Sequence, residues 1–271
     1  MKQQKNQQEE KDLLNEQKRI SFSEFKNWRE CPYRHKLIHI DKVPYFESNE
    51  FTAFGIAMHE ACEKTFPKNR KNLYQVFQKS FDLELKKIKN KSLNQDLVSD
   101  MYMQAKTVCK QIVPKIDEYF EEYEVFSVEE ALFEKIDEFD SHGRSFKGFV
   151  DMILKTPDGK FHIIDWKTCS WGWNSNKKSD PITNYQLTYY KNYFSKKYNI
   201  EAKNIDTYFV LLKRTAKREN VEVVKTTSGL KKTENSLKLL ENAVINIENK
   251  VFIKNRLNCK YCKFYRTEHC R

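Results

Sequence analysis

A predicted β-hairpin over residues 148–168 constrains this chain more than any other segment. Its sequence, GFVDMILKTPDGKFHIIDWKT, contains two largely apolar runs separated by the turn TPDG at 156–159. In such a turn Pro fixes φ at about −65° and Gly supplies a positive φ. The pattern is typical of a type I turn with a Gly bulge, in which Thr156 pairs with Lys160.

The register of this hairpin brings two acidic residues together. Counting outward from the turn places Asp151 directly opposite Asp165, and strand alternation puts Lys167 on the same face. The rest of that face is apolar: Phe149, Ile153, Phe161 and Ile163. Two carboxylates about 5 Å apart repel by roughly 3 kcal/mol at an effective dielectric of about 20. A divalent cation is the simplest group that offsets this repulsion, and the alternative is a half-exposed hairpin whose acids lie in water.

The charge of the whole chain indicates a polyanionic partner. Its 271 residues include 49 Lys and Arg against 38 Asp and Glu, a formal net charge of +11. Such an excess most often accompanies nucleic-acid binding. Because no apolar run could span a membrane and the N-terminus lacks a signal-peptide core, we expect a soluble, cytoplasmic protein. The seven cysteines are not typical of a secreted disulfide scaffold in a chain of this length and direct attention to metal-ligand spacing.

The order of the predicted elements indicates an α/β fold with one mixed sheet flanked by helices. We expect a disordered tail at 1–19 and a single domain at 20–271, with a helical insertion at 68–123 and a cysteine-containing tail at 258–271. Besides the hairpin, the periodicities predict helices at 21–31, 51–66, 72–123, 183–197 and 230–251 and strands at 125–139, 205–213 and 221–224.

The acidic hairpin has the residue types that a Mg²⁺ or Mn²⁺ site requires. These ions prefer oxygen ligands, which Asp151, Asp165 and the carbonyl of Trp166 supply. Lys167 could orient the attacking water, lower its pKa, or stabilise charge that develops on a phosphate. His59 lies in the helix predicted at 51–66. Such a lone His is most often structural, but as a ligand its imidazole would favour Mn²⁺.

Short motifs along the chain occur in the order found in one enzyme family. They are Gly55-x3-His59-Glu60, Gly148-x2-Asp151, Asp165-x-Lys167-Thr168 and Gln186-x3-Tyr190. This order resembles the PD-(D/E)XK nuclease superfamily and, within it, the RecB-like branch. The family often has Glu as its second acid, where this chain has Asp165.

The resemblance implies a restriction-endonuclease-like core with an extra helical layer, and it implies a role for each motif residue. The metal ligands would be His59, Asp151, Asp165 and the carbonyl of Trp166. The catalytic lysine would be Lys167, with Gln186 and Tyr190 helping to hold the DNA and the active site.

Four cysteines form a second candidate site. Cys259-x2-Cys262 and Cys270 supply three ligands, and Cys31 is a better candidate than His269 for the fourth. This arrangement resembles the iron–sulfur staple of AddB-type helicase-nucleases and CRISPR-associated RecB-like exonucleases. The resemblance implies a four-iron four-sulfur cluster bound by Cys31, Cys259, Cys262 and Cys270. Zinc in the same thiolates, or four unliganded thiols, are the alternatives.

We therefore expect a metal-dependent deoxyribonuclease, foremost an exonuclease on single-stranded or end-processed DNA. Its pathway would be DNA repair or recombination, phage replication or CRISPR adaptation, and it could work with a helicase or recombination protein. The alternatives are a non-catalytic DNA-end-binding module with a nuclease fold, or an endonuclease of restriction or structure-specific type. Trp171 and Trp173 either stack on bases or pack internally. Phosphate contacts are expected from Arg34, His35, Lys36, Lys177, Lys178, Lys213, Arg214, Lys217 and Arg218.

Overall fold

The computed structural model describes residues 18–45, 47–66, 72–88 and 93–271. Most of the tail predicted at 1–19, and parts of the insertion predicted at 68–123, lie outside these residues. Among the described residues, no helix has the length and apolar character needed to cross a membrane.

The elements follow the predicted order of helices, strands, a helix and further strands. The helices are α1 (Phe22–Glu30), α2 (Pro32–His35), α3 (Glu50–Thr65), α4 (Leu73–Lys86), α5 (Gln95–Phe120), α6 (Ser175–Ser179), α7 (Pro181–Tyr198) and α8 (Leu230–Glu248). The strands are β1 (Arg19–Ser21), β2 (Glu124–Lys135), β3 (Ser145–Lys155), β4 (Phe161–Cys169), β5 (Ile205–Lys213) and β6 (Val221–Thr226). A π-helical turn spans Lys36–Ile40 and a 3₁₀ helix spans Arg256–Tyr261.

The chain divides into two compact units. The terminal unit contains Met1–Tyr45, Ala131–Gly148 and Leu230–Arg271, and the central unit contains Phe46–Glu130 and Phe149–Gly229. Strands β2 and β3 each pass from one unit into the other along the chain.

The central unit is built on a mixed sheet. Its strand order is β3-β4-β5-β6, with β4 and β5 parallel, both outer pairs antiparallel, and β2 paired with β3. Helices α3, α4 and α5 bury one face of the sheet, where Met152, Ile164 and Trp166 join the largest apolar core. Helix α7 covers the other face, and its Phe194 packs against Phe161 with ring centroids 5.6 Å apart. The predicted α/β class, with a mixed sheet between helices, is confirmed.

The hairpin forms as its turn sequence predicts. Thr156 N donates to Lys160 O at 3.0 Å, Gly159 N donates to Thr156 O at 2.9 Å, and Gly159 has φ +80°. Along the strands Met152 lies opposite Ile164. This register confirms the predicted pairing, because the next facing positions along the strands are Asp151 and Asp165.

The terminal unit begins with β1, which pairs in parallel with the start of β3. Helix α1 is capped by Ser21, whose Oγ accepts from Glu24 N, and it ends at Cys31 before Pro32. Arg144 forms an ion pair with Glu248 of α8 at 2.7 Å. Strand β1 was not predicted, because three residues are too short to show a period.

Candidate active site

Strand β3 and strand β4 present the two acids at the centre of the site. The backbone N of Trp166 donates to Asp151 Oδ2 at 2.7 Å, so this carboxylate is fixed by the neighbouring strand. Asp165 lies in the middle of β4, between β3 and β5, and its side chain is only 2% exposed. The hairpin therefore supplies both acids from regular backbone.

Lys167 forms an ion pair with Asp165. Its Nζ lies 2.6 Å from Asp165 Oδ2. The net pKa of Asp165 is raised to about 6: burial is the largest cause and the charge of Asp151 adds to it, while Lys167 and His59 act in the opposite direction. Asp165 is thus a buried carboxylate whose charge requires a cation beside it.

Helix α3 brings His59 to the acids. His59 Nδ1 lies 3.4 Å from Asp151 Oδ2. Burial by itself lowers the pKa of His59, but the hydrogen bond and charge of Asp151 outweigh it, and the net pKa is raised. One turn earlier, Gly55 lets the helix approach β4 closely, because a Cβ there would lie 3.3 Å from Thr168 Oγ1.

Helix α7 supplies the remaining motif pair. It starts at Pro181 with Asp180 as its N-cap, and Gln186 and Tyr190 lie one turn apart. Gln186 Nε2 donates to the Tyr190 hydroxyl at 3.2 Å. Burial raises the pKa of Tyr190 well above its ordinary value, and the charge of Asp165 adds to this effect.

Glu129 is a site residue that the sequence reasoning missed. It lies in β2 with a φ of +48°, a conformation that is uncommon for a residue other than Gly and strained within a strand. Burial raises its pKa to about 6, and the charges of Asp151 and Glu63 contribute. The only trace in the sequence is that the adjacent Glu129 and Glu130 interrupt the alternation of β2, which does not by itself assign a positive φ to Glu129.

A cavity of about 630 Å³ opens beside His59. Residues of α3 between Thr52 and Lys64 line it together with Glu129. The cavity gives solvent and ligands access to the side of the site on which His59 lies.

The donor set suits a divalent cation, although the side chains are not arranged as a finished metal site. Among the residues that the structure describes, no three His, Cys, Asp or Glu side chains are placed to hold one ion together. Instead, each acid faces a basic group of the site, Asp165 facing Lys167 and Asp151 facing His59. A buried carboxylate oxygen such as Asp165 Oδ2, which faces the Lys167 ammonium here, is the type of atom that Mg²⁺ or Mn²⁺ coordinates.

The four cysteines expected at a cluster lie in the terminal unit. Asn255 contacts two of them, since its N lies 3.4 Å from Cys31 Sγ and its O lies 3.9 Å from Cys259 Sγ. Cys262 packs with buried Cys270 in a small apolar cluster around Leu37 and Phe264. The chain folds these residues into one region across more than 200 positions of sequence, without placing three thiols of the described part as a ligand group.

Two expected phosphate contacts are wrong. In the terminal unit, His35 is fully buried against a carboxylate of the same unit. In the central unit, Lys213 is buried and its Nζ lies 3.3 Å from Glu222. Lys217 and Arg218 are exposed, as a phosphate contact requires.

The two tryptophans after β4 differ in their surroundings. Trp173 packs against Phe209 with ring centroids 5.0 Å apart, which favours a packing role. Trp171 is 71% exposed, so its ring is accessible to an unpaired base.

Comparison with known proteins agrees with this fold. The family model of the PD-(D/E)XK nuclease superfamily matches residues 19–267. Among solved structures, a putative exonuclease from Eubacterium rectale has a TM-score of 0.58 at 14% identity, covering 92% of this chain and 89% of that chain. At that identity the likeness concerns the fold.

Two further comparisons add little. The solved structure of SSO0001 covers 89% of this chain and 93% of its own at 14% identity, but its TM-score of 0.36 is too low to carry an argument. A search of curated proteins gave no match. The family match spans nearly the whole chain and includes every residue of the acidic hairpin, and on that basis the chain belongs to the PD-(D/E)XK nuclease superfamily.

Proposed function

We propose that this protein is a metal-dependent deoxyribonuclease whose active site lies in the central unit. The observation that carries the proposal is the meeting of Asp151, Asp165 and Lys167 on one hairpin, in a chain that belongs to a nuclease superfamily. The +11 net charge is consistent with a polyanionic substrate.

In this proposal four groups would hold Mg²⁺ or Mn²⁺: the side chains of His59, Asp151 and Asp165 and the carbonyl of Trp166. When bound, the ion would supply Lewis-acid stabilisation of the phosphate. His59 would turn from its present contact with Asp151 and offer a neutral nitrogen, a ligand that Mn²⁺ accepts more readily than Mg²⁺.

Lys167 would be the catalytic lysine. In hydrolysis the oxygen of water bonds to phosphorus, the bond from phosphorus to the leaving oxygen breaks, and the water proton passes on to solvent or to the leaving oxygen. The Lys167 ammonium, held near Asp165, can orient that water or donate to a phosphate oxygen as negative charge develops. Gln186 and Tyr190 would support this arrangement, and Glu129, which lines the cavity beside His59, would orient water on that side.

For the finer assignment we propose a RecB-like exonuclease acting on single-stranded or end-processed DNA, with a helicase or recombination protein as partner. The motif order and the clustered cysteines support this branch. Cys31, Cys259, Cys262 and Cys270 would bind a four-iron four-sulfur cluster, and the amide hydrogen bond from Asn255 to Cys31 is of the type that stabilises thiolate ligands.

The proposal is tested by digesting single- and double-stranded DNA with free, 5′-blocked and 3′-blocked ends in Mg²⁺ and in Mn²⁺. The wild-type protein should release short products from free ends, and Asp165→Asn should release none. Asp100→Asn removes an exposed acid on α5 and should digest as the wild type does.

The other outcomes separate the alternatives. Discrete fragments from closed circular DNA would replace the exonuclease assignment with an endonuclease. DNA binding without cleavage in either metal would instead indicate a non-catalytic module, and equal digestion by Asp165→Asn would contradict the assigned site.

A further inference from the structure

A strongly basic segment closes the chain in the terminal unit. Residues 250–271, called here the basic segment, carry seven Lys and Arg against one Glu, a net charge of +6. These 22 residues therefore account for more than half of the +11 of the whole chain. All seven cations are exposed, and none pairs with a side-chain carboxylate of the residues that the structure describes, although Lys254 and Arg256 donate to Arg271 O at 3.3 and 3.0 Å.

The same segment exposes large apolar side chains. Leu257 is 92% exposed, Tyr261 is 85% exposed and Ile253 is 69% exposed. Apolar side chains at such exposure contribute little to the stability of the fold, because they remain in water. Alternation of these side chains with exposed cations is the pattern of a ligand-binding surface rather than of a core.

Specific contacts hold the segment in place. Tyr33 N donates to Ile253 O at 3.2 Å, and the Tyr33 hydroxyl donates to His269 O at 3.2 Å. Asn255 Nδ2 donates to Glu30 O at 2.9 Å, and Phe264 of the segment is buried in a cluster with Leu37. The exposed rings are thus presented on an anchored backbone, which lowers the entropy lost on binding.

Cations lie over the exposed rings. Lys260 Nζ lies 5.3 Å from the centre of the Tyr261 ring, and the Arg266 guanidinium lies 5.1 Å from that of Tyr265. A ring with an ammonium beside it offers stacking to a base and attraction to the adjoining phosphate.

We infer that the basic segment is a binding surface for single-stranded DNA, with Tyr261 as the base-stacking residue and Lys260 and Lys263 as phosphate contacts. A single strand exposes the faces of its bases, whereas a duplex hides them within the stack. The charge excess favours a nucleic acid over a protein partner, because protein interfaces are depleted of Lys at their centres. The choice of DNA as the nucleic acid rests on the proposed function.

The test measures binding of a fluorescently labelled oligo-dT strand, and of a mixed-sequence duplex, in EDTA so that no cleavage occurs. Tyr261→Ala should weaken single-strand binding by about tenfold and duplex binding by no more than about twofold. Tyr261→Phe keeps the ring and should bind as the wild type. Leu230→Ala removes another highly exposed apolar side chain of the terminal unit, outside the segment, and should change neither.

The salt dependence tests the cations. Replacing both Lys260 and Lys263 by Gln should reduce the slope of log affinity against log salt by about 1.4 for a single strand. The matched double change of Lys231 and Lys238 to Gln, on exposed positions of α8, should leave that slope unchanged. Equal thermal midpoints and metal contents of all variants would show that each is folded.

Two results would overturn the inference: single-strand binding that is the same for Tyr261→Ala and Leu230→Ala, or an equal loss for single strand and duplex. Cleavage by the wild type in Mn²⁺ is recorded separately. If binding depends on Tyr261 but the wild type never cleaves DNA, only the nuclease proposal is contradicted. If the wild type cleaves DNA but Tyr261→Ala binds a single strand normally, only the proposed binding surface is contradicted.

Discussion

The central and terminal units hold their candidate functional residues in different ways. In the central unit Asp151, Asp165 and Lys167 lie on two adjacent strands, and the turn at Gly159 fixes their register. In the terminal unit Cys31 and Cys259 come together through loop backbone around Asn255. The register of the hairpin is decided within about twenty residues of sequence, whereas the cysteines come together only through contacts between distant parts of the chain.

This difference predicts how each region responds to substitution. The acidic site is carried by a sheet whose core is buried on both faces, so substitution of its polar side chains should affect chemistry more than folding. The cysteine region has only a small apolar cluster of its own, so loss of its ligands should affect folding first.

The largest effect is expected at Lys167. Lys167→Ala should lower metal-dependent DNA cleavage by about a thousandfold, since the ammonium acts directly in the reaction. Its loss leaves buried Asp165 without the cation beside it, so the free energy of unfolding should fall by about 3 kcal/mol while the protein still folds. Cleavage rates and thermal unfolding of Lys167→Ala, with the exposed Lys106→Ala as control, measure both quantities. A variant that loses much of its stability but cleaves DNA at the full rate would contradict the expectation that these side chains affect chemistry more than folding.

The next largest effect is expected at Cys259. If the four cysteines bind a cluster, Cys259→Ser should abolish visible iron–sulfur absorption in anaerobically purified protein and destabilise the terminal unit by several kcal/mol. Cys109→Ser, at a buried thiol of the central unit, should retain the absorption. If metal analysis finds zinc in place of iron, the iron–sulfur assignment is wrong but the four cysteine ligands remain. If the wild-type protein binds no metal, both assignments are contradicted.

A smaller effect concerns Glu24 in the terminal unit. Burial raises the pKa of Glu24, but the hydrogen bond and charge of His35 outweigh it and lower the net pKa below the ordinary 4.5. A lowered pKa means that the stabilisation is present above pH 4.5 and is lost as the pH falls through the lower value of the folded protein. Glu24→Gln should therefore cost about 2 kcal/mol at pH 7 and progressively less in acid.

Denaturant unfolding of Glu24→Gln at several pH values provides the measurement. Glu234→Gln, at an exposed position of α8, is the control and should track the wild type throughout. If Glu24→Gln lowers the free energy of unfolding by the same amount at every pH, the charge of the carboxylate is not the source of the stabilisation.

The smallest effect tests the approach of α3 to β4. Gly55→Ala adds a Cβ that would lie 3.3 Å from Thr168 Oγ1, so the helix or the strand must shift by a few tenths of an ångström. Because His59 lies one turn further along α3, cleavage should fall by about fivefold. Stability should change little, since Ala favours the helix by about 1 kcal/mol. Adding Thr168→Ala should restore the rate, and a purely additive double variant would argue against this contact.

The sequence predicted the hairpin well because local rules decide it. The turn required Gly at position 159 and the alternation required both acids on one face, so counting was sufficient to pair Asp151 with Asp165. The helix containing His59 followed in the same way from its apolar spacing, as its Asn49 cap and the buried small residues of α3 show.

Features decided by tertiary contacts were not predictable. Glu129 became part of the site through a positive φ in β2, and no propensity assigns that conformation to Glu. His35 and Lys213 were expected at phosphates, but their charges are satisfied by carboxylates that the fold brings near them. The motif order indicated a role for His59, while its present contact with Asp151 could be seen only in the structure.

Calorimetric titration of the protein with Mn²⁺, in the absence of DNA, tests the central claim most directly. The account predicts that the wild-type protein binds Mn²⁺ at the acidic site, that Asp151→Asn and Asp165→Asn each weaken this binding by at least about tenfold, and that Asp100→Asn does not. Unchanged Mn²⁺ affinity in Asp165→Asn would contradict the assignment of the hairpin as a metal-dependent nuclease site.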